Sequence, residues 1–127
     1  MSALGANRTV LVVEDDRALR TFYRSALMIA GYSVVTAEDG IEALQTFEGY
    51  QPAAVVLDLG LPRMSGHDVT AELLANEKLR HIPIVIVTGG DVSEVDQKKF
   101  ACVLRKPVTA ESLIAAIQNC LAVSSEN

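Results

Sequence analysis

The chain has 127 residues, of which 50% are hydrophobic and 21% are charged, and its 11 basic and 16 acidic side chains give a formal net charge of −5. A chain of this length can bury roughly two-thirds of its unfolded surface, which is enough for one domain with a real core. The acidic balance argues against a nucleic-acid-binding protein, which needs a basic face. No stretch approaches the roughly 18 apolar residues of a membrane span, so we expect no membrane association.

We interpret residues 1–127 as a single domain with a core at about residues 8–123. The polar ends, residues 1–7 and 124–127, are expected to be flexible. Residues 1–9 lack the apolar run of a signal peptide. Both cysteines, Cys102 and Cys120, fall within apolar patterns, which favours buried reduced thiols over a disulfide. These features predict a cytoplasmic protein.

Five short apolar runs alternate along the chain with stretches whose apolar residues recur at helical spacing. Strands are predicted over residues 9–13, 33–37, 53–58, 83–88 and 102–106. Helices are predicted over residues 17–30, 41–47, 66–75, 93–100 and 110–123. The inner faces of the first two helices are predicted to consist of Leu19, Phe22, Tyr23, Ala26, Leu27 and Ala30, and of Ile41, Leu44 and Phe47. Arg20 and Arg24 are predicted to lie on the outer face of the first helix.

The central strands show no alternation of apolar and polar residues, which is typical of a parallel sheet with helices on both faces. We therefore predict an α/β fold: a flavodoxin-like, doubly wound, five-stranded parallel sheet of order 2-1-3-4-5 with five helices. In such a sheet the ligand crevice lies at the carboxyl ends of the strands, where the strand order reverses.

Polar and charged residues stand at the carboxyl ends of four predicted strands. They are Glu14, Asp15 and Asp16 after the first strand, Asp58 on the third, Thr88 on the fourth and Lys106 on the fifth. In the predicted order the first and third strands are neighbours, so Asp15 and Asp58 should face each other across the crevice. Each residue alone also fits a simpler role, such as a helix cap or a turn; their occurrence at one edge of one sheet favours a functional site.

Carboxylates brought together in this way repel one another. Two charges ~4 Å apart cost about 4 kcal/mol at an effective dielectric of ~20, so a proton or a cation must compensate them. Hard oxygen ligands supplied in small number favour Mg²⁺. Lys106 adds a point charge suited to phosphate, and Thr88 adds a hydroxyl donor. The combination predicts a phosphoryl site with Asp58 as the nucleophile.

Over roughly Arg8 to Val123 the chain resembles a receiver domain of the two-component response regulator family. The matching motifs are Val12–Asp16, Leu57–Gly66, Thr88 followed by a small residue, and Arg105–Val108. The resemblance implies that Asp58 accepts phosphate from a histidine kinase or phosphotransfer protein. It further implies that Thr88 is the switch hydroxyl, that Lys106 is the phosphate counter-ion and that a cis peptide bond precedes Pro107. The downstream partner is not predicted.

The resemblance also implies a magnesium site. Asp15 and Asp58 would bind Mg²⁺ directly, together with the backbone carbonyl of Gly60, and Glu14 would bind through water. The resemblance also implies a phosphoacceptor signalling domain and not an enzyme, with self-catalysed phosphotransfer and dephosphorylation as its only chemistry.

Two positions depart from the family pattern. Val103 stands where a Tyr or Phe usually precedes the lysine by three residues, and the stretch over residues 89–105 is a few residues shorter than usual. Neither change touches the phosphorylation chemistry, but both bear on output.

Three alternatives remain open from the sequence. A phosphatase of the haloacid dehalogenase type needs a second aspartate two residues after its nucleophile, where this chain has Gly60. A flavodoxin-like cofactor binder needs a Ser/Thr/Gly-rich loop after the first strand, where this chain is acidic. A degenerate receiver that only docks a partner would not require Asp58, Thr88 and Lys106 together.

Overall fold

The strands of the computed structural model agree with the predicted sheet. The structure describes residues 8–90 and 97–125. Within these ranges the strands are β1 (Thr9–Val13), β2 (Ser33–Ala37), β3 (Ala54–Asp58), β4 (Ile84–Thr88) and β5 (Cys102–Arg105). All neighbouring pairs are parallel, and the order is β2-β1-β3-β4-β5. The fold class predicted from the sequence is therefore confirmed.

Four α-helices lie within the described residues, where five helices were predicted. They are α1 (Arg17–Ile29), α2 (Gly40–Thr46), α3 (Gly66–Ala75) and α4 (Ala110–Ser125). Of the helix predicted over residues 93–100, residues 93–96 lie outside the described residues and Gln97–Lys99 forms one 3₁₀ turn. No described helix combines the length and the apolar character needed to cross a bilayer.

The sheet is covered on both faces, as its uninterrupted apolar strands predicted. Every residue of β3 and β4 is buried. On one face, which we call the α2–α3 layer, the core includes Leu11, Val13, Leu57, Ile86, Val69 and Leu73. On the other face, the α1–α4 layer, it includes Val10, Val12, Val56, Tyr23, Leu27, Leu113 and Ile117. This burial on two sides holds the carboxyl ends of the central strands rigidly in place.

The helices begin where short polar side chains cap them. Asp16 accepts a hydrogen bond from the Leu19 N–H, and Asp39 accepts one from the Glu42 N–H. Ser65 likewise accepts one from the Asp68 N–H at the start of α3. Each such bond satisfies a backbone donor that has no partner inside the helix.

Two residues predicted to face the core are exposed. Phe22 is 42% exposed and Ile41 is 41% exposed. The buried stripe of α1 is narrower than predicted, because Tyr23, Ala26 and Leu27 fill it and the Phe22 ring lies at its flank. Ile41 stands in the first turn of α2, whose buried residues are Gly40 and Ala43.

Candidate functional site

Three carboxylates meet at the carboxyl end of the sheet, where β1 and β3 lie side by side. Val13 pairs with Leu57 in the register of these strands, so the residues that follow emerge together. Oxygens of Glu14, Asp15 and Asp58 all lie within 4.8 Å of one another. Glu14 and Asp58 are buried and Asp15 is exposed, so the group opens to solvent on one side. Such a group can hold a metal ion.

The side chain of Lys106 reaches the carboxylates from the end of β5. Its Nζ lies 2.9 Å from Glu14 Oε1 and 3.1 Å from Asp58 Oδ2. The Lys106 N–H donates to the Thr88 carbonyl over 2.8 Å, which fastens this residue to the end of β4. The Lys106–Pro107 peptide bond is cis, as the family resemblance implied. Lys106 thus brings an ammonium to two of the three carboxylates.

Burial and the neighbouring charges shift the pKa values of Glu14 and Lys106. Burial is the largest influence on Glu14 and raises its pKa; the hydrogen bonds from Lys106 and from the Asp16 N–H oppose this without cancelling it. Burial alone would lower the pKa of Lys106, but its bonds to Glu14 and Asp58 outweigh burial and leave that pKa raised. Lys106 therefore holds its proton firmly, while the excess of negative charge around it stays only partly compensated.

Both oxygens of Asp58 have a donor. The Gly60 N–H donates to Asp58 Oδ1 over 3.0 Å, while Lys106 contacts Oδ2. Thr88, buried at the end of β4, accepts a hydrogen bond from the Gly90 N–H over 3.2 Å. Gly66 packs so closely on the backbone of Asp58 and Leu59 that a side chain there would have no room. The start of α3 thereby fixes the loop that follows Asp58.

Arg20 belongs to this site, although the sequence pattern placed it on the outer face of α1. Its Nη1 donates to the carbonyl oxygens of Glu14 and Asp15, at 3.0 and 3.3 Å, and its side chain is only 15% exposed. Side chains of a helix lean toward its N-terminus, so a long residue in the second turn reaches the preceding loop. That direction is the signal by which the sequence could have located Arg20.

A second arginine fastens the other loop of the site. Arg63, in the loop after β3, donates to the Asp39 carboxylate at the start of α2. Its backbone adopts a left-handed conformation with φ of 64°, which is uncommon for a residue with a side chain. The two partners are 24 residues apart, and no spacing in the sequence indicates this pair.

The two histidines, His67 and His81, are exposed. The two cysteines are free thiols, as predicted, but only Cys120 is buried, whereas Cys102 on β5 is half-buried. Burial raises the pKa of the Cys120 thiol to about 11. None of these four residues belongs to the carboxylate group.

Comparisons with known proteins agree with this geometry. The family model described as the response regulator receiver domain matches residues 10–118. The polar-differentiation response regulator DivK of Brucella ovis is 30% identical over 118 residues, which are 90% of this chain and 96% of that protein.

Two solved structures show the same fold. The chemotaxis response regulator CheY4 of Vibrio cholerae is 26% identical, with a TM-score of 0.81 over 91% of this chain and 99% of that one. A response regulator receiver domain protein of Clostridium thermocellum is 27% identical, with a TM-score of 0.83 over 93% of this chain and 97% of that one. The family match spans most of the chain, and the carboxylate group fits the phosphoacceptor site of such domains: this chain belongs to the response regulator receiver domain family of two-component signalling.

Proposed function

We propose that this receiver domain accepts a phosphoryl group on Asp58 from the phosphohistidine of a histidine kinase or phosphotransfer protein. The observation that supports it best is the setting of Asp58, a buried carboxylate that ends a central strand between a cationic and an acidic neighbour. Gly60 and Lys106 orient its two oxygens. A carboxylate held in this way is a suitable nucleophile, because its attacking oxygen is fixed before the donor arrives.

In the proposed transfer, an Asp58 oxygen attacks phosphorus and a P–O bond forms as the P–N bond to the donor imidazole breaks. The bonding electrons return to the imidazole nitrogen, which then takes up a proton from water. Lys106, already 3.1 Å from Asp58 Oδ2, would hold negative charge on the phosphoryl oxygens. The Thr88 hydroxyl would donate a hydrogen bond to another of these oxygens, so the position of this hydroxyl would depend on whether the phosphoryl group is present.

The same side chains fit Mg²⁺. Three carboxylates against one ammonium leave uncompensated negative charge, and all candidate ligands are hard oxygens. We propose that Asp15, Asp58 and the Gly60 carbonyl would hold the ion directly and that Glu14 would act through water. Glu14 suits the outer role because the Lys106 ammonium already lies 2.9 Å from its Oε1 and the Asp16 N–H donates to its Oε2. When bound, Mg²⁺ supplies positive charge that neutralises the carboxylates and the incoming phosphoryl oxygens.

We further propose that the chain is a single receiver domain over residues 1–127 that works in the cytoplasm. Its partners would be other proteins of a phosphorelay, with no direct contact to nucleic acid or membrane. Its only chemistry would be its own phosphorylation and dephosphorylation. The two free thiols and the acidic net charge of −5 support this proposal.

Incubation with acetyl phosphate and Mg²⁺ tests the central step. We expect intact-protein mass spectrometry to show one added phosphate in the wild type and none in Asp58→Asn. Asp68→Asn is a matched control, since Asp68 is an exposed aspartate outside the carboxylate group, and it should be phosphorylated normally. A labile acyl phosphate that persists in Asp58→Asn would show that another residue is the acceptor.

A further inference from the structure

Arg20 contacts the backbone of the acidic residues and none of their carboxylates. Its Nη1 donates to the carbonyl oxygens of Glu14 and Asp15, and its Nη2 lies 3.3 Å from Glu38 Oε1. Glu38 is itself anchored, because its N–H donates to Glu42 Oε1 in the first turn of α2 over 3.0 Å. One guanidinium therefore joins the loop after β1 to the start of α2.

Arg20 contacts the part of the loop whose backbone conformation determines the directions of the Glu14 and Asp15 side chains. Glu14 and Asp15 lie between the last residue of β1 and Asp16, the cap of α1, so these two residues belong to neither the strand nor the helix. A planar guanidinium with several donors can hold two carbonyls at once, which an ammonium does poorly. Holding both carbonyls sets the two peptide planes and with them the directions of the Glu14 and Asp15 side chains.

We propose that Arg20 is a positioning residue of the metal site: it orders the loop that carries Glu14 and Asp15 and thereby raises the affinity for Mg²⁺. The inference rests on the proposed function, because it assigns Mg²⁺ to the carboxylate group. Groups that orient metal ligands from outside typically change affinity by about 10–100-fold when they are removed. Arg20 acts through the ligands' backbone, so we expect the low end of that range.

The sign of the effect separates positioning from simple electrostatics. Arg20 is a cation beside a site for a cation, so its charge alone weakens Mg²⁺ binding through repulsion. If charge were its only influence, its removal would tighten Mg²⁺ binding. If it positions the loop, its removal weakens binding despite the lost repulsion.

The test is a calorimetric titration of Mg²⁺ into wild-type protein, Arg20→Gln and Arg24→Gln at a temperature where all three are folded. Arg24 is an exposed arginine one turn further along α1 and serves as the matched control. We expect the Mg²⁺ dissociation constant to rise about tenfold in Arg20→Gln and to change less than twofold in Arg24→Gln. Arg20→Lys keeps the positive charge but not the planar guanidinium, so its Mg²⁺ dissociation constant should lie between those of Arg20→Gln and the wild type. If Arg20→Gln does not fold, Arg20→Lys is compared with the wild type in its place.

Unchanged or tighter binding in the Arg20 variants would overturn the proposal, as would equal weakening in Arg24→Gln. In either case Mg²⁺ binding by the wild type would leave the proposed function standing. A wild-type protein that bound no Mg²⁺ would instead overturn the metal site itself, and the role of Arg20 with it.

Discussion

Lys106 and Asp58 are 48 residues apart in the chain, and the Nζ of one lies 3.1 Å from Oδ2 of the other. The same Nζ lies 2.9 Å from the buried Glu14 carboxylate, so one ammonium pairs with two carboxylates, one just after β1 and one at the end of the neighbouring β3. Removal of one partner of a buried ion pair leaves the other charge uncompensated, which costs more than the pair contributes. Stability and chemistry therefore depend on the same lysine.

Replacement of Lys106 by Met should destabilise the protein when no metal is present. The apolar stem is kept, but Glu14 and Asp58 lose their cation, and we expect the free energy of unfolding to fall by about 2 kcal/mol. Mg²⁺ should offset part of this loss, because it compensates the same carboxylates. Urea unfolding in EDTA and in 10 mM Mg²⁺ measures both effects; equal losses in the two buffers would mean that Lys106 and the ion do not compensate the same charges.

Mg²⁺ should stabilise the wild-type fold by binding to the native state. At ten times its dissociation constant, the ion should add about 1.4 kcal/mol to the free energy of unfolding. Asp15→Asn removes a proposed direct ligand and should abolish most of the rise in melting temperature. Asp16→Asn keeps the α1 cap and should retain it, since Asp16 is outside the carboxylate group. The same rise in Asp15→Asn as in wild type would place the ion elsewhere.

The free energy of unfolding should decrease at acid pH, in part because of the Asp39 carboxyl. The Glu42 N–H is the largest influence on this carboxyl and lowers its pKa; burial opposes that bond, and Arg63 reinforces it. A carboxyl whose pKa is lower in the folded state contributes stability above its unfolded pKa, near 4, and loses it as pH falls through the folded value. The free energy of unfolding should therefore fall less steeply below about pH 4 in Asp39→Asn than in wild type.

Arg63→Gln provides the matched comparison for Asp39, with both variants unfolded in urea from pH 5 to pH 2 in EDTA. This variant leaves the bond from the Glu42 N–H in place and should keep most of the wild-type acid slope. If Arg63→Gln flattened the slope as much as Asp39→Asn does, the ion pair and not the helix cap would be the main cause of the lowered pKa.

Tyr23→Phe should leave the protein unchanged or more stable. Tyr23 is 1% exposed, and its hydroxyl has no hydrogen-bond partner among the described residues. An unsatisfied buried hydroxyl costs about 1–3 kcal/mol, so its removal should raise the free energy of unfolding, by about 1 kcal/mol. Tyr50→Phe, at an exposed position, should change stability by less than about 0.5 kcal/mol. A loss of stability in Tyr23→Phe alone would reveal a partner for that hydroxyl.

The sequence predicted the features of this fold that depend on short-range patterns. Uninterrupted apolar runs located β3 and β4, and the parallel order then brought Asp58 and Lys106 to one edge of the sheet. Long side chains were predicted less well. Arg20 reaches back along α1 to the site, and Phe22 lies at the flank of the buried stripe, because spacing along a helix indicates a face but not where a side chain ends. Contacts such as Asp39 with Arg63 depend on the packing of two loops, which no local pattern encodes.

Val103 should limit how far an activation signal travels from Thr88. In response regulators that carry an aromatic residue here, the ring is expected to move into the space left when the threonine hydroxyl is drawn toward phosphate. Val103 has no ring and few rotamers, and it is packed with Phe100 against the α2–α3 layer. To change the ratio of active to inactive conformation from 1:99 to 99:1, phosphorylation must stabilise the active one by ~5.5 kcal/mol relative to the other. The contribution that a moving aromatic ring would make to this free-energy difference is absent in this chain.

We therefore expect a local change on activation, in the loop after Asp58 and over residues 89–93, of which residues 91–93 lie outside the described residues. A partner that recognises the activated form should then bind at the loop after Asp58 and residues 89–93, or at α1, and not at the face formed by β5 and α4. Amide chemical shifts with and without beryllofluoride and Mg²⁺ test this expectation, and Val103→Tyr is the matched variant because it restores the ring. In wild type the shifts should be large in the loop after Asp58 and small from Leu113 to Leu121; in Val103→Tyr they should extend into α4. Large wild-type shifts through Val103 and along α4 would mean that the signal crosses β5 without an aromatic side chain.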